Sequence, residues 1–219
     1  HRAGILQAGT IEEMFDWAVA LAACPLPRPG GRRVAILTNA GGPGVIASDA
    51  LEANRLTLAE FTPATLAGLA AILPSAASLH NPVDILGGAT SRMYADCLRL
   101  LLADPDVDSL LVIIPPPPVE TAELDAEAII PLIQAATKPV VVALMGGSMI
   151  RKAAELFRLA RIPEYRFAER QRNISLSPEK NNQCKVYYQW HRTQRDEAVN
   201  GGHGNGKCQI SFKKMCDKV

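Results

Sequence analysis

Three short glycine-rich segments are the part of this sequence whose residues could do chemistry. They read NAGGPG, LGGAT and MGGS and occupy residues 39–44, 86–90 and 145–148. Each follows an apolar run and precedes a stretch of helical composition, so each places free backbone amides and a helix dipole where an anion could bind. Glycine can also serve only a tight strand-to-helix turn, and both interpretations are open for each segment.

The segment NPVDILGGAT, residues 81–90, carries polar side chains as well as glycines. Its Asn and Asp precede two glycines and a hydroxyl residue at a predicted helix start, an order that could form a backbone nest for a phosphoryl group. The aspartate could instead bind amides of its own turn. With the first glycine-rich segment, the candidate phosphate-facing residues are Asn39, Gly41, Gly42, Gly44, Asn81, Asp84, Gly87, Gly88, Ala89 and Thr90.

The common nucleotide-binding motifs are absent from the sequence. Neither the dinucleotide pattern GxGxxG nor the phosphate loop GxxxxGK[ST] occurs, and Lys152 is the one lysine close to these glycines. The motifs therefore do not indicate nucleotide binding by this chain.

Histidine and cysteine offer few candidates for chemistry. His80, directly before NPVD, and the terminal His1 could accept a phosphoryl group, but a lone loop histidine is usually only solvated. Cys97 falls on the apolar face of a predicted helix and is expected in the core. We therefore predict no catalytic residue within this chain.

Composition changes after Gln171, where alanine becomes rare and lysine and asparagine become frequent. We predict that residues 169–219 form a basic, poorly ordered tail. The tail has residue types that zinc prefers, but their spacing is irregular and we expect no metal site and no nucleic-acid binding. These residues are Cys184, His191, His203, Cys208 and Cys216.

The whole chain of 219 residues has 48% hydrophobic residues and a formal net charge of +1, which is enough apolar material for one domain with extensions. No apolar run is long enough to span a membrane and no secretion signal is evident, so a cytoplasmic protein without a membrane partner is expected. The first residue is not Met and the sequence opens in a helix-like run, which suggests a piece of a longer polypeptide.

Short apolar runs alternate with helical stretches along most of the chain. This alternation predicts an α/β fold, with a doubly wound, mostly parallel sheet and helices on both faces. Strands are predicted at 34–38, 56–61, 82–86, 110–114, 138–145 and 164–167, and helices at 10–25, 45–53, 62–72, 90–103, 120–136 and 148–161. Pro131 predicts a kink or an early stop in the fifth helix. The predicted units are a connecting helix and linker at 1–31, the α/β domain at 32–168, and the tail.

The motifs NAGGPG, NPVD and GGAT, followed by ADPDVDSLLVI and KPVVVALMGG, together resemble the ligase-CoA domain of NDP-forming acyl-CoA synthetases. This family resemblance implies that the doubly wound α/β fold is flavodoxin-like. ADP-forming acetyl-CoA synthetases share this domain, as does, more distantly, the succinyl-CoA synthetase β subunit. The resemblance covers residues 3–168, since AGILQAGTIEEMFDWAVALA is similar to the segment that precedes the domain in that family.

The resemblance implies a phosphoryl relay that uses ATP, Mg²⁺ and CoA in the full-length enzyme, through a phosphohistidine on a mobile segment. In the family that histidine lies shortly before the segment that opens this chain. The CoA-binding and ATP-grasp domains are likewise outside the sequence, so they are the implied partners, in a homo- or hetero-oligomer. The chain alone is expected to bind no cofactor and to be inactive. The helix after Gly87, Gly88, Ala89 and Thr90 corresponds to one of two helices whose amino ends face the phosphohistidine.

Two other functions remain open at this point. The same synthetase-like assembly occurs as a regulatory region in protein lysine acetyltransferases. The domain could also be a stand-alone flavodoxin-like module that binds a phosphorylated small molecule or a protein.

Overall fold

The computed structural model describes residue 8 and residues 10–166. In that part of the chain, six strands form one parallel sheet in the order β2-β1-β4-β5-β6, and β3 also pairs with β1. The strands are β1 (Arg33–Thr38), β2 (Thr57–Leu58), β3 (Val83–Asp84), β4 (Ser109–Ile114), β5 (Val140–Leu144) and β6 (Glu164–Tyr165). The predicted doubly wound α/β fold is confirmed. The predicted tail and its zinc-type residues lie outside the described residues.

Within the described residues, five α-helices and one short 3₁₀ turn connect these strands, and a sixth helix precedes β1. The helices are α1 (Ile11–Ala23), α2 (Gly41–Ala53), α3 (Pro63–Ile72), α4 (Ser91–Ala103), α5 (Ala122–Ala135) and α6 (Arg151–Leu159), and the 3₁₀ turn spans Gly147–Ile150. No helix in the described part of the chain is long and apolar enough to cross a bilayer.

One predicted helix start was wrong, and an early stop that Pro131 offered does not occur. The helix α2 begins at Gly41 rather than at residue 45, so the glycines of NAGGPG lie in its first turn. Pro43 is tolerated there because the first helical residues have no intrahelical N–H bond to lose. The helix α5 continues through Pro131, since Ile129 and Ile133 on either side of the proline are buried against the core.

The strand β1 has two short neighbours on one side. Its first residues, Arg33 and Val34, pair with β2, and its last residues, Leu37 and Thr38, pair with β3. The other side of β1 pairs with β4 over five residues. The chain thus continues on opposite sides of β1, which makes the carboxyl ends of β1 and β4 a topological switch point, where ligands bind in sheets of this type.

Both faces of the sheet are covered. Along β1, Ala35 and Leu37 belong to the larger core under α3 to α6, whereas Val34 and Ile36 belong to a smaller core that α2 covers. This alternation follows from the two-residue period of a strand and explains why the sequence of β1 is apolar at every position from Val34 to Leu37.

Candidate functional site

The loops at the carboxyl edge of the sheet lie against one another. A Cβ atom added at Gly41 would lie 3.1 Å from Asp84 Oδ2, and one added at Gly87 would lie 3.6 Å from Pro118 Cγ. The segments that follow β1, β3 and β4 therefore converge, and the two predicted phosphate-facing segments share one surface with the proline run after β4.

The side-chain amide of Asn81 is not free to bind a ligand at that surface, because it is bonded to backbone groups of the sheet. Its Nδ2 donates to the carbonyl oxygens of Val34 and Ala59 at 2.7 and 3.1 Å, and its Oδ1 accepts from the N–H of Ile36 at 2.9 Å. The side chain thus fills the gap between β2 and β3 along β1, where no strand supplies hydrogen bonds. Its contribution to the carboxyl edge is to position the segment that begins with β3.

Asp84 binds an amide of its own turn and also contacts the neighbouring glycine-rich segment. Its Oδ1 accepts from the N–H of Leu86, in its own turn, at 2.9 Å. Its Oδ2 faces Gly41, at the amino end of α2. The carboxylate therefore shapes the turn and also lies beside the helix dipole of α2, which leaves less room there for a second anion.

The amino end of α4, unlike that of α2, has a side-chain cap. Thr90 caps the helix by accepting from the N–H of Met93 at 3.3 Å, and Ala89 beside it is buried. Nothing lies within 4 Å of the position that a Cβ of Gly88 would occupy. A ligand can therefore approach the backbone at this point closely.

A carboxylate that the sequence analysis did not select already binds there. Glu120 Oε2 accepts from the N–H of Ser91, the first residue of α4, at 2.7 Å. Glu120 follows the proline run at the end of β4, so its position after a strand at the switch point was a signal available in the sequence.

Two further buried polar side chains lie at this edge: Asn39, a predicted phosphate-facing residue, and Tyr94, which was not predicted. Asn39 is 4% exposed and its Oδ1 has no hydrogen-bond partner. Tyr94, in the first turn of α4, is fully buried, and its hydroxyl donates to the carbonyl oxygen of Ile113 at 2.9 Å. Burial raises the pKa of Tyr94 well above its ordinary value, so the phenol stays protonated.

Asp125 is the most unusual group at this edge. It is 1% exposed, and neither of its carboxyl oxygens has a hydrogen-bond partner. Burial, together with the nearby charge of Glu120, raises its pKa to about 7. A carboxyl group in this environment favours its neutral form.

The remaining candidates lie away from this edge or in the core. His80 is exposed and precedes β3. Cys97 is fully buried among the residues of the larger core, as expected. Within the described residues, no group of His, Cys, Asp or Glu side chains is arranged to hold a metal ion.

We predict that Thr90→Ala lowers the free energy of unfolding by about 1 kcal/mol, because the N–H of Met93 loses its side-chain cap. Urea denaturation measures this change. Ser48→Ala is the control, since the Ser48 hydroxyl donates to the Gly44 carbonyl within α2 rather than capping a free N–H. Equal losses in the two variants would show that the cap contributes no more than an ordinary surface hydroxyl.

The chain matches a known protein family. The family model for the ligase-CoA domain matches residues 34–194. The chain is 39% identical over 168 residues to the acetate–CoA ligase [ADP-forming] II subunit alpha of Pyrococcus furiosus, covering 75% of this chain and 36% of that one. It is 35% identical over 169 residues to the acetate–CoA ligase [ADP-forming] I of Archaeoglobus fulgidus, covering 75% and 23%.

Solved structures agree with these relatives. A Pyrococcus horikoshii OT3 protein matches with a TM-score of 0.77 and 38% identity over 84% of this chain and 42% of that chain. The dinucleotide-forming acetyl-coenzyme A synthetase 1 of Ca. Korarchaeum cryptofilum, in complex with phosphate and ADP, matches with a TM-score of 0.70 and 31% identity over 90% and 41%. The chain thus spans less than half the length of these relatives. The chain belongs to the ligase-CoA domain family and is similar to a portion of these ADP-forming acetate–CoA ligases.

Proposed function

We propose that this chain is the domain of an ADP-forming acyl-CoA synthetase that docks on a phosphohistidine and stabilises its phosphoryl group. The histidine would come from another segment of the enzyme, and ATP, Mg²⁺ and CoA would bind mainly to its CoA-binding and ATP-grasp domains. The observation that carries the proposal is the amino end of α4, where the first amide already holds a carboxylate and Gly88 leaves the approach open.

This domain would contribute electrostatic stabilisation of the phosphoryl group. A phosphoryl group in transfer carries negative charge on its oxygens, and oriented backbone N–H groups stabilise that charge without moving a proton. Gly87, Gly88, Thr90 and Ser91 would supply those amides, with the Thr90 side chain holding the helix end in place, whereas the Ala89 N–H donates to the Leu86 carbonyl oxygen. Asn39, Gly41, Gly44, Asn81 and Asp84 would act around them by fixing the neighbouring loops, and Gly42, in the first turn of α2, would lie at the same edge without holding the phosphoryl group. The relative that was solved with phosphate and ADP supports a phosphate site in this family.

A matched pair of glycine substitutions tests the proposal. A Cβ atom added at Gly88 or at Gly42 would meet nothing within 4 Å, so the backbone at both positions has room for a side chain and Gly88→Leu and Gly42→Leu are both expected to fold. Leucine at 88 would occupy the space before the amides of α4, whereas leucine at 42 would stand at the amino end of α2. Titration of the chain with inorganic phosphate, followed by calorimetry and by the amide resonance of Ser91, should show affinity reduced at least tenfold, on the order of 1.4 kcal/mol, by Gly88→Leu.

The control variant Gly42→Leu should bind phosphate within about twofold of the wild-type chain. Equal losses in both variants would place phosphate between the two helices instead of on α4. Unchanged binding by Gly88→Leu would reject α4 as the phosphate site.

A further inference from the structure

The amide that the phosphoryl group would use is not free in this structure. Ser91 donates its N–H to Glu120 Oε2 at 2.7 Å, and Glu120 is half-buried in the segment between β4 and α5. A carboxylate and a phosphoryl oxygen both bind helix amino ends as anions, and two negative charges at the same amides repel each other. Glu120 must therefore leave Ser91 when a phosphoryl group arrives.

A second acidic group is buried near this position. Asp125 is 1% exposed, has no hydrogen-bond partner at either carboxyl oxygen, and is close enough to the carboxylate of Glu120 for that charge to raise its pKa. It also lies near the hydroxyl of Tyr94, in the first turn of α4. A buried carboxyl group in its neutral form has one O–H donor, and here that donor lacks an acceptor.

We propose that Glu120 is a displaceable anionic cap: it holds the amino end of α4 when no phosphoryl group is bound, and it moves to the carboxyl group of Asp125 when one binds. This inference rests on the proposed function, since the displacing ligand is the phosphoryl group. No covalent bond changes, and the proton stays on Asp125, which donates to the displaced carboxylate. The arrangement explains both an occupied helix end and a buried acid without a partner.

The cap would also limit how tightly phosphate is held. Each phosphoryl group must displace the carboxylate of Glu120, so part of the binding free energy is offset and release becomes easier. A site that passes a phosphoryl group between two partners has to release it, and an internal competitor provides that property without a change in the amides themselves.

Phosphate titration of the whole chain tests the cap. Glu120→Gln removes the competing charge, and its affinity for inorganic phosphate should rise on the order of tenfold over the wild-type chain. Glu127→Gln is the control, because Glu127 is exposed on α5, the helix that follows Glu120, and the change in net charge is identical. The control should differ from wild type by less than about twofold. Glu120→Asp, whose shorter side chain draws the carboxylate back from Ser91, should give an intermediate affinity.

A double-mutant cycle tests the second position of the cap. Asp125→Leu removes the O–H donor and should weaken phosphate binding about threefold in the wild-type background, since the displaced Glu120 loses its hydrogen bond. The same substitution should have no effect in the Glu120→Gln background. Equal effects in both backgrounds would overturn the role of Asp125, and the thermal unfolding transition of each variant shows whether it is folded.

The outcomes separate this inference from the proposed function. If phosphate shifts the Ser91 amide in the wild-type chain but Glu120→Gln and Glu120→Asp bind it no more tightly, the cap is wrong and the phosphate site stands. If phosphate shifts the Ser91 amide in none of the variants, both are wrong.

Discussion

Replacing Asn81 with alanine is expected to lower the free energy of unfolding by about 3 kcal/mol, because one side chain completes the hydrogen bonding of three backbone groups in the sheet. Ile36 is fully buried and its N–H would lose its acceptor, and the carbonyl oxygen of Ala59 would lose its donor. Val34 would lose one of its partners and keep the N–H of Ala59. Buried backbone groups without partners cost more than the bonds themselves contribute. Chemical denaturation monitored by circular dichroism measures the loss.

Two companion variants make this result specific. Asn54→Ala removes an amide that donates to the Ala50 carbonyl at the end of α2, and it should cost less than about 1 kcal/mol. Asn81→Asp keeps the acceptor for Ile36 but turns two donated bonds into contacts between a carboxylate and carbonyl oxygens, so it should be at least as harmful as alanine at neutral pH. A loss at Asn81→Ala no larger than at Asn54→Ala would show that water replaces the amide.

The central strands could be predicted from the sequence because burial on both faces leaves a simple pattern. The strands β1, β4 and β5 are nearly continuous apolar runs, and no helix of ten residues fits between their glycine and proline boundaries. The short strands β2 and β3 were predicted too long. Both strands pair with the same side of β1, and the side chain of Asn81 fills the gap between them. An apolar pattern in the sequence does not indicate such a gap.

The site could be predicted only in part. Thr90 was identifiable, because a hydroxyl residue before a helix is a local signal and its partner lies three residues on. For Glu120 only the position after a strand was identifiable and the partner was not, because Ser91 lies 29 residues earlier in the chain. Asp125 was not, because an acid in the first turn of a helix normally stabilises the helix dipole from the surface, and only the packing of α4 on α5 shows that this one is buried.

Asp125 should make the stability of this domain fall as pH rises from about 4 to about 7. Its pKa is raised from 3.8 to about 7, by burial first and by the charge of Glu120 second. Below the lower pKa the carboxyl is protonated in both the folded and the unfolded chain. Between the two values the unfolded chain has lost the proton and the folded chain keeps it, so each pH unit lowers the free energy of unfolding by about 1.4 kcal/mol. Above pH 7 the loss is complete, at roughly 4 kcal/mol.

The variant Asp125→Asn removes this titration and isolates it from the other ionisable groups. The thermal unfolding midpoint of Asp125→Asn minus that of the wild-type chain should increase steadily from pH 4 to pH 7. The difference should then stay constant to pH 8. Asp49→Asn, at an exposed position of α2, should change the midpoint by the same small amount at every pH. The groups that face Asp125, Glu120 and the Tyr94 hydroxyl, are present in both variants, so the comparison reports the proton on Asp125. A difference between Asp125→Asn and wild type that does not vary with pH would mean that Asp125 ionises in the folded chain as it does in water, with a solvent molecule or a cation as its partner.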